Sequence, residues 1–409
     1  MKSWWFFWIS TLIILWSQVQ VLVGLPEKET LIRNGEGFVY LGALDSNIMQ
    51  RLLAYTKILG DKMKINKKLF IGLLAFLGFS QAFAAGKIEM NEYMIQSDTP
   101  GISLYLRNKH LAGMKTFSPD KTLLYVHGST YPSETAFDLS LGGTSWMEYI
   151  ASKGYDVWLV DLRGYGKSTR PPEMDQPAEQ NPPLVRTNVA VSDVSSAVDY
   201  ILKKRNINKI NLLGWSWGTT IMGKYTTENN QKVNKLVLYA PQWLRQGGAP
   251  LTDKGGQLGA YRVASVADAK NRWLTGVPEN AKASLIPQGW FEKWAAATFE
   301  TDPWGKTQEP KKLRAPNGTV QDAREFWTAG TPVYDPKDIR VPVMLVHAEW
   351  DADLPSYMMY EYFTKLENAP YKIMLQISEG THTIIMEKNR MLMFTGVQEF
   401  LDSSFKPEK

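Results

Sequence analysis

One serine sits between two tryptophans and two glycines in the stretch GWSWG, residues 214–218. A serine hydroxyl attacks a carbonyl only when a base takes its proton, an acid orients that base, and backbone N–H groups receive the charge that develops. The run KINLLGWS (209–216) reads as a buried strand ending on Ser216, and WGTTIMGKY begins a helix. A G-x-S-x-G pattern at such a strand-to-helix turn is a nucleophile elbow, in which Gly214 and Gly218 allow the close backbone approaches the turn demands. The pentapeptide alone is common; its place at the end of a buried strand gives it weight.

The base is found by elimination among four histidines. His110 stands in a polar stretch and is expected at the surface. His127 ends a strand and is expected to order the loop that follows. His347 lies inside VMLVHAEW as a satisfied strand histidine. His382, in SEGTHTIIME, follows the last strand and can reach Ser216 over the sheet edge. The acid should follow an earlier strand. VHAEWDADLP offers Asp351, with Asp353 as its rival and Glu349 on the same turn. The oxyanion donors expected are the backbone N–H groups of Trp217, at the helix start, and of Ser129, after the His127-Gly128 pair.

These groups need a frame. From residue 85 onward, short apolar runs alternate with amphipathic stretches, which indicates α/β architecture. Runs at 121–128, 156–162, 209–216, 234–241, 341–351 and 371–378 read as buried strands. Two more polar runs, at 87–97 and 101–110, read as an antiparallel edge. Between strands lie helical patterns, one with Val189, Val194, Ala197 and Ile201 on a single face. Residues 242–338 break the alternation: they show no convincing strand and hold Trp243, Trp273, Trp290, Trp294, Trp304 and Trp327. A mostly helical insertion fits this segment better than a loop of that length. Trp243, Trp290 and Trp294, together with Trp215 beside the serine, are expected to wall an apolar pocket.

In that order these motifs resemble the α/β-hydrolase family, over residues from about 87 to 404. The matching features are His127-Gly128, DLRGYGKS (161–168), GWSWG, Asp351 with Pro355, and His382 after Gly380. The resemblance implies a mostly parallel eight-stranded sheet with helices on both faces and a helical lid inserted after strand 6. It implies core segments 85–241 and 339–409 around a lid at 242–338. The implied activity is that of a serine hydrolase, foremost on a carboxylic ester of a small or medium apolar compound. An amide, lactone or peptide hydrolase, or a binding protein on the same fold, stays open beside it. No cofactor and no metal is expected. The loop GSTYP departs from the GGPG of proline iminopeptidases, and Ser216 stands where haloalkane dehalogenases and epoxide hydrolases carry aspartate.

Composition excludes some chemistry. The 409 residues contain no cysteine, hence no thiol nucleophile and no disulfide. The formal charge is +5, but residues 1–84 carry nine Lys/Arg against five Asp/Glu, leaving +1 for the rest. Nucleic acid is therefore not an expected partner. Residues 63–84, MKINKKLFIGLLAFLGFSQAFA, have the lysine start, apolar run and A-x-A end of a secretory signal peptide. Export to a periplasm or the medium after Ala84 is expected, with residues 1–62 an extension that need not be native. The apolar stretch at 4–25 offers the alternative of a membrane anchor, and only through it would a membrane be a partner.

Overall fold

The computed structural model describes residues 86–404. Among these described residues there are ten strands: β1 (Ile88–Gln96), β2 (Ser103–Leu111), β3 (Thr122–Val126), β4 (Asp156–Val160), β5 (Ile210–Trp215), β6 (Val233–Tyr239), β7 (Tyr261–Ser265), β8 (Lys312–Pro316), β9 (Val343–Ala348) and β10 (Lys372–Ile377). Eight of them form one sheet in the order β1-β2-β4-β3-β5-β6-β9-β10. β2 pairs antiparallel with both β1 and β4, and every other neighbour pair is parallel. The fold is that of an α/β-hydrolase, as expected.

The central strands read as continuous apolar runs because both faces of a parallel sheet are covered. In β3 all five residues are buried, and so are all six of β5 and of β9. The flanking helices that matter for the site are α1 (Trp146–Ser152), α2 (Thr187–Arg205), α3 (Trp217–Glu228), α4 (Val266–Trp273), α5 (Trp290–Phe299), α6 (Ser356–Lys365) and α7 (Arg390–Asp402). Because β5, β6 and β9 run in parallel, their carboxyl ends lie on one side of the sheet. Ligand sites of open α/β sheets form there.

The segment between β6 and β9 holds α4 and α5, but it also holds β7 and β8, which pair antiparallel. This corrects the expectation of an insertion without strands. YRVAS and KLRAP are five residues each, half polar and far apart in sequence, so no apolar alternation announces them. His110 is likewise corrected: it is buried on β2, beside Phe117, with Nδ1 on Leu111 O.

The expected membrane contact is also corrected. Among the described residues no helix is long and apolar enough to cross a membrane. The stretch at 4–25 that suggested an anchor, and the segments 1–62 and 63–84, lie outside the described residues, and no membrane partner is retained.

Candidate active site

Ser216 lies between β5 and α3 with φ 59° and ψ −123°, a conformation that costs a non-glycine residue about 1–3 kcal/mol and survives only where its surroundings enforce it. Here they do. Ser216 N donates to Tyr239 O (2.9 Å), and Thr219 returns two bonds to Ser216 O, from N (2.8 Å) and from Oγ1 (2.6 Å). A Cβ on Gly214 would stand 2.3 Å from Gly218 O, and one on Gly218 would stand 2.7 Å from His127 O. Both positions therefore accept only glycine. Gly128 is under the same constraint from Ser216 itself, since its Cβ would meet Ser216 Cβ at 2.9 Å.

His382 stands on the loop after β10. Its Nδ1 is 2.8 Å from Asp351 Oδ2, while Asp351 Oδ1 accepts from Leu354 N (2.9 Å). The backbone of this loop is pinned from the elbow: Trp215 Nε1 (3.0 Å) and Tyr239 OH (2.6 Å) both donate to His382 O. The Trp215 and Tyr239 rings stack at 5.7 Å. Strand residues beside Ser216 thus fix the backbone from which the His382 imidazole projects. Ser216 and His382 line one cavity; no hydrogen bond joins them directly, as is common before substrate binds.

Burial alone would raise the Asp351 carboxyl, but the adjacent His382 outweighs it and holds Asp351 below its ordinary 3.8. Burial alone would likewise lower His382. The Asp351 and Asp353 carboxylates overcome this and raise it above 6.5. Asp353 does not touch His382: its Oδ2 accepts from Arg272 Nε at 2.8 Å. Glu349 caps the β10 loop instead, accepting from Glu379 N (2.9 Å). His347 donates from Nε2 to Leu354 O (2.7 Å).

His127 orders the loop after β3. Leu162 N donates to its Nε2 (3.1 Å), so the ring proton sits on Nδ1 and is donated to Gly128 O (2.6 Å). Burial lowers this histidine to about 4, which keeps it neutral at pH 7. With the Gly128 carbonyl tied back, the N–H of the same peptide, that of Ser129, is turned the other way. Trp217 N lies between two spent groups, Ser216 N and Thr219 N, and takes part in neither of their bonds. First-turn amides of a helix have no intrahelical acceptor. The DLRGYGKS turn is structural: Asp161 accepts from Ser133 N (2.8 Å) and Lys167 N (3.1 Å), and Arg163 Nε pairs with Asp193 (2.9 Å).

The cavity over Ser216 has a volume of about 20 Å³, room for about one water. Trp215 and Trp294 are in its wall, with Tyr131, Arg272, Trp273 and Thr383. Trp243 and Trp290 are not, which corrects their expected place. Trp243 packs edge-on to Tyr362 (5.1 Å), and Trp290 lies under the Arg390 guanidinium (4.5 Å). Trp217 is also turned away, donating from Nε1 to Thr187 Oγ1 (3.0 Å). Sequence reasoning missed Trp273 and Glu387. Trp273 Nε1 donates to Glu387 (2.7 Å), which also accepts from Thr381 N (2.9 Å), the residue before His382. Burial raises the Glu387 carboxyl to about 7. An acid five residues after the histidine was the only available signal.

Residues 121–389 match the family model described as alpha/beta hydrolase fold. The chain belongs to the α/β-hydrolase family. Among curated proteins it is similar to a Schizosaccharomyces pombe protein named a probable lipase, 29% identical over 124 residues, 30% of this chain and 28% of that protein. It is also similar to human lipase member K, 22% identical over 165 residues, 40% of this chain and 41% of the other. The chain thus spans less than half the length of these curated relatives.

Among solved structures, the α/β-hydrolase chain resembles the 2-hydroxy-6-oxo-6-phenylhexa-2,4-dienoate hydrolase of Rhodococcus sp. strain RHA1, with TM-score 0.52 and 15% identity, covering 77% of this chain and 99% of that one. A hydrolase from Pseudomonas aeruginosa superposes with TM-score 0.51 and 15% identity, over 76% and 99% of the two chains. At that identity the likeness concerns the fold.

Proposed function

We propose that the protein is a serine hydrolase that cleaves a carboxylic ester of a small or medium apolar compound. The observation that carries this reading is the shared cavity of Ser216, held strained at the elbow, and His382, whose Nδ1 rests on the buried Asp351 carboxylate. Ser216 Oγ attacks the ester carbon while His382 Nε2 takes its proton, and the carbonyl oxygen becomes an oxyanion facing Ser129 and Trp217 N–H. Collapse expels the alcohol, which receives the proton from His382, and leaves an acyl-serine. Water, deprotonated by the same histidine, releases the acid. Asp351 keeps the imidazole in the tautomer that this cycle needs.

The apolar walls from Trp215, Trp273 and Trp294 support an uncharged substrate, and the small free volume supports an insertion that opens to admit it. Export through the segment 63–84 belongs to the same proposal. Turnover of p-nitrophenyl acetate, butyrate and decanoate tests the substrate class. Acetate and butyrate should be cleaved with higher kcat/KM than decanoate; preference for decanoate, or cleavage of anilides alone, would contradict it.

The acid limb of the pH profile gives a second test. His382 acts as a base only when neutral, so activity is lost as pH falls through its pKa. That pKa is raised above 6.5 by Asp351, so kcat/KM should begin to fall at a pH above 6.5. Replacing Asp353 by asparagine, which removes a carboxylate charge that raises His382 without touching its ring, should move the limb downward. A limb below 6.5 in the unmodified protein would contradict the coupling.

A further inference from the structure

The loop that presents Ser129 is gripped from the insertion. Arg262, on β7, donates from Nη2 to Ser129 O (2.6 Å) and Thr130 Oγ1 (3.0 Å), and from Nη1 to Pro316 O (2.6 Å) on β8. Tyr165 OH donates to the same Ser129 O at 2.9 Å. Arg272, the penultimate residue of α4, adds a bond from Nη1 to Thr130 Oγ1 (3.1 Å). The carbonyl before the Ser129 N–H is held by His127 and the carbonyl after it by Arg262 and Tyr165. Both torsions that aim this N–H are thereby fixed.

The two arginines differ in charge balance. Arg272 is matched by Asp353 at 2.8 Å. Among the described residues no carboxylate pairs with Arg262, whose acceptors are two backbone carbonyls and one hydroxyl. It is partly buried, and burial lowers its guanidinium only to about 10, so it is charged at neutral pH. An unmatched cation withdrawn from water carries a desolvation cost, and an anion formed nearby offsets it. In acyl transfer such an anion forms at the Ser129 and Trp217 amides.

We propose that Arg262 is a positioning residue for this reaction: seated by the insertion, its guanidinium sets the Ser129 carbonyl and lends positive charge to the oxyanion. The proposal rests on the serine-hydrolase reading. It makes the oxyanion site complete only while the insertion is seated.

The test compares the full-length protein with its Arg262→Met and Arg262→Lys variants. It measures steady-state hydrolysis of p-nitrophenyl acetate and inhibition by a trifluoromethyl ketone, which forms a stable oxyanion on the serine. Loss of one oxyanion donor costs about 10²–10³ in rate, and Arg262→Met should lower kcat by about 10²-fold with KM little changed. Ketone affinity should fall in parallel with kcat, and Arg262→Lys, which keeps the charge, should recover part of both. Wild-type kcat in Arg262→Met, or a loss confined to KM, would overturn the proposal. If the Met variant does not fold, judged by its melting curve, Arg262→Gln keeps one donor without the charge; wild-type kcat and ketone affinity there would overturn it equally. If the unmodified protein neither cleaves esters nor reacts with a fluorophosphonate at Ser216, the serine-hydrolase reading itself fails and this proposal falls with it. If it does both and the Arg262 variants match it, only this proposal falls.

Discussion

Ser216→Ala is expected to lower kcat for ester hydrolysis by about 10⁶-fold, leaving only what the oxyanion donors and binding provide. The size of the effect follows from the site's construction. The elbow bonds to Ser216 all use its backbone: N to Tyr239 O, and O from Thr219 N and Oγ1. Alanine keeps those bonds and bears the same positive φ, so the turn should survive while its only reacting atom is removed. The melting temperature should therefore change by no more than a few degrees. A variant with a tenth or more of the original kcat would show that chemistry occurs elsewhere.

Asp351→Asn is expected to cost about 10⁴ in kcat, the size of loss seen when a triad acid becomes an amide. Asp351 is fully enclosed and spends one oxygen on His382 Nδ1 and the other on Leu354 N. Asparagine can offer its NH₂ to Nδ1, which forces the ring proton onto Nε2 and removes the base. Asp353→Asn is expected to do far less to kcat, because its partner is Arg272 and it reaches His382 only through its charge. Side-by-side kcat measurements decide the matter: a larger loss in Asp353→Asn would reverse the assignment of the acid.

The contrast between these two aspartates marks how far the sequence is legible. Five core strands are visible as apolar runs because a parallel sheet buries both faces; the run at 371–378, read the same way, is instead the edge strand β10, with Ile373 and Met374 exposed. The elbow is visible because Gly214 and Gly218 flank a serine at a strand end. Asp351 and Asp353 are two residues apart on one turn, and which carboxylate swings toward His382 depends on the Leu354 amide, a contact no spacing encodes. The same holds for the tryptophans. Trp243 and Trp294 look alike in sequence, yet one packs on Tyr362 and the other walls the cavity. Arg262 was invisible because β7 is a five-residue strand with polar content, paired to β8 across a long excursion. What was lost concerns the insertion, whose order comes from long-range contacts rather than from apolar periodicity.

The most direct test of the central claim is intact-mass analysis after exposure to a fluorophosphonate, with Ser216→Ala treated in parallel. The account predicts a single phosphonyl adduct on the unmodified protein, none on the variant, and loss of ester hydrolysis in step with labelling. Folded protein that stays unlabelled, or a variant that labels equally well, would contradict the assignment of Ser216 as the nucleophile.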